Sequence, residues 1–123
     1  LQQLTYFEEL VAQTAVHQAT LDAAFQPYLK RKHKALEDGQ GIDPVEQAIL
    51  RLATYELMFR PDVPYRAVIN EAVELARLFA SEQSHTFING VLDKVAVQLR
   101  PEEVATPPTR RAAPRAVLRD AEE

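Results

Sequence analysis

The residues of this chain best suited to chemistry are His17, His33 and His85 and the carboxylate pairs Glu8 with Glu9, Glu71 with Glu74, and Glu102 with Glu103. Catalysis or metal binding would need them in a recognisable constellation. No histidine meets another, or a carboxylate, at a helical metal-ligand spacing such as H-x-x-x-H. Glu71 and Glu74 are three apart and share a helix face, but no histidine joins them at the E-x-x-H spacing of metal sites in helical bundles. Ser81 and Ser84 lack a G-x-S-x-G context and read as helix caps. Cysteine is absent, which removes thiolate nucleophiles, thiolate metal sites and disulfides. With only 3 glycines, a Gly-rich phosphate loop is nearly excluded. His17 falls on an apolar helix face and reads as a hydrogen-bonded, partly buried histidine. The expectation is a protein without catalytic residues, metal or cofactor.

Phe87 is the exception. It lies in the first turn of a helix beside the apolar stripe, among Gln83, Ser84, His85, Thr86 and Asn89. Two readings stand. It is an edge-of-core aromatic, or it is a stacking platform for an unpaired base. In the second reading the N–H groups of the helix end would favour a phosphate.

The elements that must position these residues are helices. The 123 residues are 46% hydrophobic and 26% charged, which fits one ordinary globular domain. The net charge of −4 carries no whole-domain footprint of nucleic-acid binding. Local basic clusters exist at Lys30, Arg31, Lys32, His33 and Lys34, and at Arg100, Arg110, Arg111, Arg115 and Arg119. Both read as solvated charge. No apolar run approaches the ~20 residues of a membrane span, and the N-terminus lacks the pattern of a signal peptide. A cytoplasmic protein follows. The only methionine is Met58, so the sequence reads as a processed or truncated product.

Periodicity predicts about four helices and no strand. The first spans residues 4–29, with Pro27 kinking or closing it. Lys30 to Gly41 is a polar break. The second helix opens with Asp43 as N-cap, Pro44 in the first position and Glu46 in the third, an Asp version of the capping box. Its stripe is Val45, Ile49, Leu52, Ala53 and Leu57, with Glu56 on the same face and so paired or marginal. Pro61 and Pro64 separate it from a third helix that buries Val68, Ala72, Leu75, Ala76 and Phe79. The fourth carries Ile88, Val91, Leu92, Val95 and Leu99. Gly90 lies inside it, and a close helix contact is the expected reason for a residue that costs roughly 1 kcal/mol against Ala. Pro101 ends the pattern. The expected architecture is an all-α bundle over residues 1–101 and a disordered Pro/Ala/Arg/Glu tail over 102–123.

Three blocks carry a resemblance. Val45-Glu46-Gln47-Ala48-Ile49-Leu50-Arg51-Leu52-Ala53-Thr54-Tyr55-Glu56-Leu57 is one. Asp62-Val63-Pro64-Tyr65 followed by Val68-Ile69-Asn70-Glu71-Ala72-Val73-Glu74-Leu75-Ala76 is the second. Ser84-His85-Thr86-Phe87-Ile88-Asn89-Gly90-Val91-Leu92-Asp93-Lys94 is the third. In this order and spacing they resemble the NusB transcription antitermination family over roughly residues 4–101. The resemblance implies an all-helical domain that pairs with NusE, a small-subunit ribosomal protein. It implies binding of the pair to boxA, a short single-stranded RNA element, within a complex on RNA polymerase that passes terminators in ribosomal RNA operons. Some relatives self-associate through the RNA-facing surface, which adds a homodimer to the expected partners.

Carried over by position, Phe87 matches the RNA-contacting aromatic of the family, and Thr86 is adjacent to it. Gln83 stands where the family often has an acidic residue that influences RNA affinity. An amide there removes a carboxylate that would repel phosphate. Glu46 matches an acidic position associated with the NusE contact, and Tyr65 is a weaker candidate for the same surface. Asn70, Glu71, Asn89 and Gly90 are assigned mainly to structure, with hydrogen bonds tying helices together.

The family begins with an Arg-rich N-terminus and two further helices before the first helix here. Their absence predicts weak boxA binding by this chain alone, and apolar surface exposed where those helices would pack. The alternative reading is the RNA-placing NusB-like domain of a ribosomal RNA cytosine methyltransferase, which would continue into a large catalytic domain.

Overall fold

The computed structural model describes residues 2–29, 42–81 and 83–106, with side chains from Thr5 onward. Among these residues every regular element is helical. The expected basic run at 30–34 and the arginines beyond residue 106 lie outside them.

Helix α1 spans Gln2–Val16 and α2 spans Gln18–Phe25, followed by a 3₁₀ turn over Gln26–Tyr28. The expected single helix is therefore broken at His17, and its α-helical run closes early, at Phe25, just before Pro27. His17 sits at φ −102°, ψ 20°, off the helical minimum. Its ring lies 4.6 Å from the Phe59 ring and 6.2 Å from that of Tyr55, so aromatic faces hold the bend. Pro27 falls in the first turn of the 3₁₀ element, where its missing N–H costs nothing.

Helix α3, Pro44–Phe59, begins as its sequence predicts. The Asp43 carboxylate accepts from the N–H groups of Val45 and Glu46, both at 3.0 Å, which satisfies two of the donors a helix start leaves unpaired. Glu56, expected to be paired or marginal, accepts from the Tyr6 hydroxyl at 2.7 Å. Arg51 reaches back to Asp22 through two N–H···O bonds of 2.7 Å and fastens α2 to α3.

Helix α4, Tyr65–Phe79, and helix α5, Ser84–Leu99, follow. The turn between them is short, so they lie antiparallel. The main core forms where α3, α4 and α5 meet. Leu50, Val68, Ala76, Ile88, Leu92 and Val95 are all buried there, with Phe25 and Leu29 closing one side. A smaller cluster of Leu10, Leu21 and Tyr55 seats α1 and α2. Phe79 departs from the predicted stripe. It is 68% exposed at the last residue of α4, whereas Ala76, three residues earlier, is fully buried.

Three further corrections concern chain ends and glycine. Arg100, grouped with the solvated tail, is buried at 8% exposed. The tail predicted from residue 102 begins instead as a helix, α6, over Pro101–Ala105. Pro101 occupies the first turn, where proline starts a helix as readily as it ends one, and Val104 packs against the main core. Gly90 makes no close helix contact. It is exposed, and a Cβ built there would meet nothing within 4 Å.

Candidate nucleic-acid and partner interface

The start of α5 gathers most of the residues singled out by sequence. Neither serine caps it: Gln83 takes the N-cap position without a side-chain hydrogen bond. The serines build something else. The Ser84 hydroxyl, 4% exposed, donates to the Glu46 carboxylate at 2.5 Å. Its single proton is thereby spent, so the 3.0 Å contact between the Ser81 and Ser84 hydroxyls has Ser81 as donor. The result is a directed chain from Ser81 through Ser84 to Glu46. The Glu46 carboxylate, 2% exposed, joins the first turn of α3 to the first turn of α5. Both ends carry the positive pole of a helix dipole, the polarity a carboxylate prefers.

Gln83 and Thr86 are exposed on the outer side of this junction, and His85 is half-buried. Phe87 faces the other way. It is 4% exposed and belongs to the main core. Of its two readings the edge-of-core one describes this conformation, and the ring is not an open platform. Helical geometry accounts for it, since Phe87 precedes Val91 by four residues and shares the buried face with it. Glu46, expected on a partner surface, is likewise interior and bonded to the buried Ser84.

Tyr65 lies at the start of α4, 6% exposed, and its N–H donates to Glu103 at 2.8 Å. Glu103 thus caps α4 from α6. Beside it, Arg100 spends all five of its N–H donors. They reach the carbonyls of Leu57, Val63, Glu56 and Arg60 and the Glu103 carboxylate. This cation at the C-terminal end of α3 closes the corner between α3 and α4. Sequence reasoning missed it because its acceptors are mainly backbone oxygens, which leave no trace in residue type. Only the i, i+3 pairing of Arg100 with Glu103 was there to be found.

Asn70 and Asn89, expected to tie helices together, are instead exposed. They line a polar groove of about 330 Å³ between α4 and α5, together with Tyr65, Arg66, Ile69 and Asp93. Partial burial raises the pKa of the Asp93 carboxyl, against the lowering effect of Arg66. A second, apolar groove of about 400 Å³ runs between α1 and the α3–α4 pair, lined by Phe7, Leu10, Leu52 and Leu75 among others. Phe7, one of its lining residues, is 54% exposed. Among the described residues no cluster of three or more His, Asp or Glu could hold a metal, and no helix is long and apolar enough to cross a membrane.

Comparison with known proteins gives one consistent result. The family model described as "NusB family" matches residues 2–97. The transcription antitermination protein NusB of Xanthomonas oryzae pv. oryzae (strain PXO99A) is 52% identical over 100 residues, covering 81% of this chain and 60% of that protein. The protein of the same name from Xanthomonas axonopodis pv. citri (strain 306) is 52% identical over 100 residues, 81% of this chain and 59% of its own length. That from Histophilus somni (strain 2336) is 52% identical over 96 residues, 78% of this chain and 62% of its own. The chain therefore spans about 60% of the length of the curated relatives it matches.

Proposed function

The chain belongs to the NusB family, and from that premise we propose that it serves transcription antitermination as a non-catalytic adaptor. In this reading it joins boxA RNA to NusE within the complex on RNA polymerase and works in the cytoplasm beside nascent transcripts. The observation that carries the reading is the exposed edge formed by Gln83 and Thr86, standing on the buried Ser84–Glu46 lock. An edge of neutral hydrogen-bonding side chains at a helix start suits a phosphate–sugar backbone, because it offers donors without a carboxylate to repel the strand.

The roles divide by depth. Gln83 and Thr86 touch RNA. Phe87, with its ring in the core, shapes the edge beneath them and offers a base no more than its rim. Glu46 holds the α3 and α5 starts together and presents the neighbouring surface to NusE, with Tyr65 at the far end of that surface. Most of the phosphate affinity is expected from NusE and from basic residues outside this edge, so boxA binding by the chain alone is weak.

Fluorescence anisotropy with a labelled boxA RNA tests this, with and without NusE and over a salt series. The expected result is weak binding alone, a marked gain with NusE and a negative dependence on salt. Gln83→Glu lowers the affinity about fivefold by placing a charge against phosphate. Binding by the chain alone that is tight and indifferent to Gln83→Glu would defeat the assignment. Sedimentation of the same samples reads out self-association.

A further inference from the structure

The apolar groove between α1 and the α3–α4 pair has no part in the RNA edge, and its chemistry is one-sided. It holds about 400 Å³ between Phe7, Leu10, Leu52 and Leu75. Among the described residues that line it, the only charged ones are two carboxylates, Glu56 on α3 and Glu71 on α4. Glu56 accepts the Tyr6 hydroxyl. Glu71 is exposed on its wall and has no ion-pair partner among the described residues. An apolar surface of this kind, open to water, fits an occupant that brings apolar side chains with cations beside them.

The chain has a segment of that composition and leads it from one end of the groove. Residues 107–119 contain Arg110, Arg111, Arg115 and Arg119 and no Asp or Glu, with Val117 and Leu118 set between the last two arginines. The segment follows α6, which is fastened at the corner where the groove begins. Glu103 accepts the N–H of Tyr65 at 2.8 Å, and Arg100 donates to the carbonyl of Val63, itself a lining residue. Eleven residues lead from Thr106 to Val117, up to about 36 Å of extended chain. The groove follows α4 from Ala67 to Leu75, about 12 Å of helix, so the reach is ample. A second copy fits less well, since a symmetric pair brings the same two carboxylates to the contact from both sides. A nucleic-acid strand fits least, because no cation lines the groove to meet its phosphates. A tethered segment also competes at an effective concentration on the order of mM.

We propose that the groove between α1 and the α3–α4 pair is the docking site of the chain's own C-terminal segment, with Val117 and Leu118 on the apolar lining and Arg115 and Arg119 beside Glu56 and Glu71. The arginines read from sequence as solvated charge then serve to cover the open face of the bundle.

The test exploits the absence of cysteine from the chain. Ala67→Cys in the full chain places one thiol on an exposed lining residue, and its rate of reaction with an aromatic disulfide reagent reports how well the groove is covered. Adding Val117→Asp/Leu118→Asp is expected to raise that rate at least fivefold, and Glu71→Arg to do the same. Combining Glu71→Arg with Arg115→Glu/Arg119→Glu is expected to return the rate to within twofold of its starting value, a rescue that damage to α4 would not allow. A rate that neither Val117→Asp/Leu118→Asp nor Glu71→Arg changes overturns the proposal. A rate that falls as protein concentration rises, in step with dimer mass in sedimentation, gives the groove to a second copy and overturns it as well. Neither RNA nor NusE enters the readout, so the outcome is independent of the adaptor reading.

Discussion

Arg100 and Glu46 are both interior charges, at 8% and 2% exposed, and each sits where helices end. Arg100 lies at the C-terminal end of α3 and gathers carbonyl oxygens from Glu56, Leu57, Arg60 and Val63. Glu46 lies at the N-terminal ends of α3 and α5 and takes the Ser84 hydroxyl. Each sign matches the helix pole it meets. The difference lies in what each end does next. The Arg100 end is closed and finished, with every donor used internally. The Glu46 end stands directly beneath Gln83 and Thr86 and leaves a surface exposed. One buried charge completes the fold, and the other presents an edge from it.

Substitution can break that contrast. The largest effect is expected for Arg100→Ala, which would leave backbone carbonyls without their donor and cost about 3–5 kcal/mol of unfolding free energy. Arg100→Lys should recover only part of this, since an ammonium cannot reproduce the planar fork. Urea unfolding of the two variants measures both, and equal stability of the Arg100→Lys variant and the unsubstituted chain would reduce Arg100 to a point charge. Next comes the Glu46 end. Ser84→Ala should cost about 2 kcal/mol, the range of a hydrogen bond to a charged acceptor. A double-mutant cycle with Glu46→Ala should show coupling of about 1–2 kcal/mol. The cost to stability should be smaller than at Arg100 and the cost to boxA binding larger, because the edge moves with the lock.

How much of this could be read from sequence depends on where each partner lies. Asp43, Pro44 and Glu46 announce the start of α3 because caps are local. The helices themselves follow from apolar spacing, and Ile88, Val91, Leu92 and Val95 are buried as that spacing predicts. Ser84 is 38 residues from Glu46 and Glu103 is 38 from Tyr65, and no periodicity records a contact at that distance. Arg100 was hidden for a second reason: a neighbouring proline and an Arg-containing tail disguised a buried side chain as surface. The break at His17 was also non-local, since it answers to Tyr55 and Phe59 on another helix. At the candidate interface, the burial of Phe87 was legible from its place four residues before Val91, while its position at the edge of the apolar stripe kept the open-platform reading in play.

Two smaller effects sharpen the contrast. Gly90→Ala should raise stability by about 1 kcal/mol, seen as a higher thermal midpoint, because the added methyl meets open space. A lower midpoint would mean that the α5 backbone depends on glycine there. Tyr6 reports on the closed end from its outer side. Burial, and then its hydrogen bond to Glu56, push its pKa from 10.0 up to about 12. The folded state therefore favours the neutral phenol. Its contribution is intact below pH 10 and fades as pH rises toward 12. Tyr6→Phe should flatten that part of the stability profile, read by urea midpoints below pH 10 and near pH 12, while the Glu46 end responds to neither change.

The placement of Arg100 also sets an order in time. Its carbonyl acceptors lie 37 to 44 residues earlier in the chain. During synthesis from the N-terminus, the corner between α3 and α4 is made long before the residue that fastens it. Until Arg100 clears the ribosome, those carbonyls lack the guanidinium that draws them together, and the corner is free to open. The chain thus carries its own late-arriving clasp, and α3 and α4 commit to their final angle only once α5 has emerged in full.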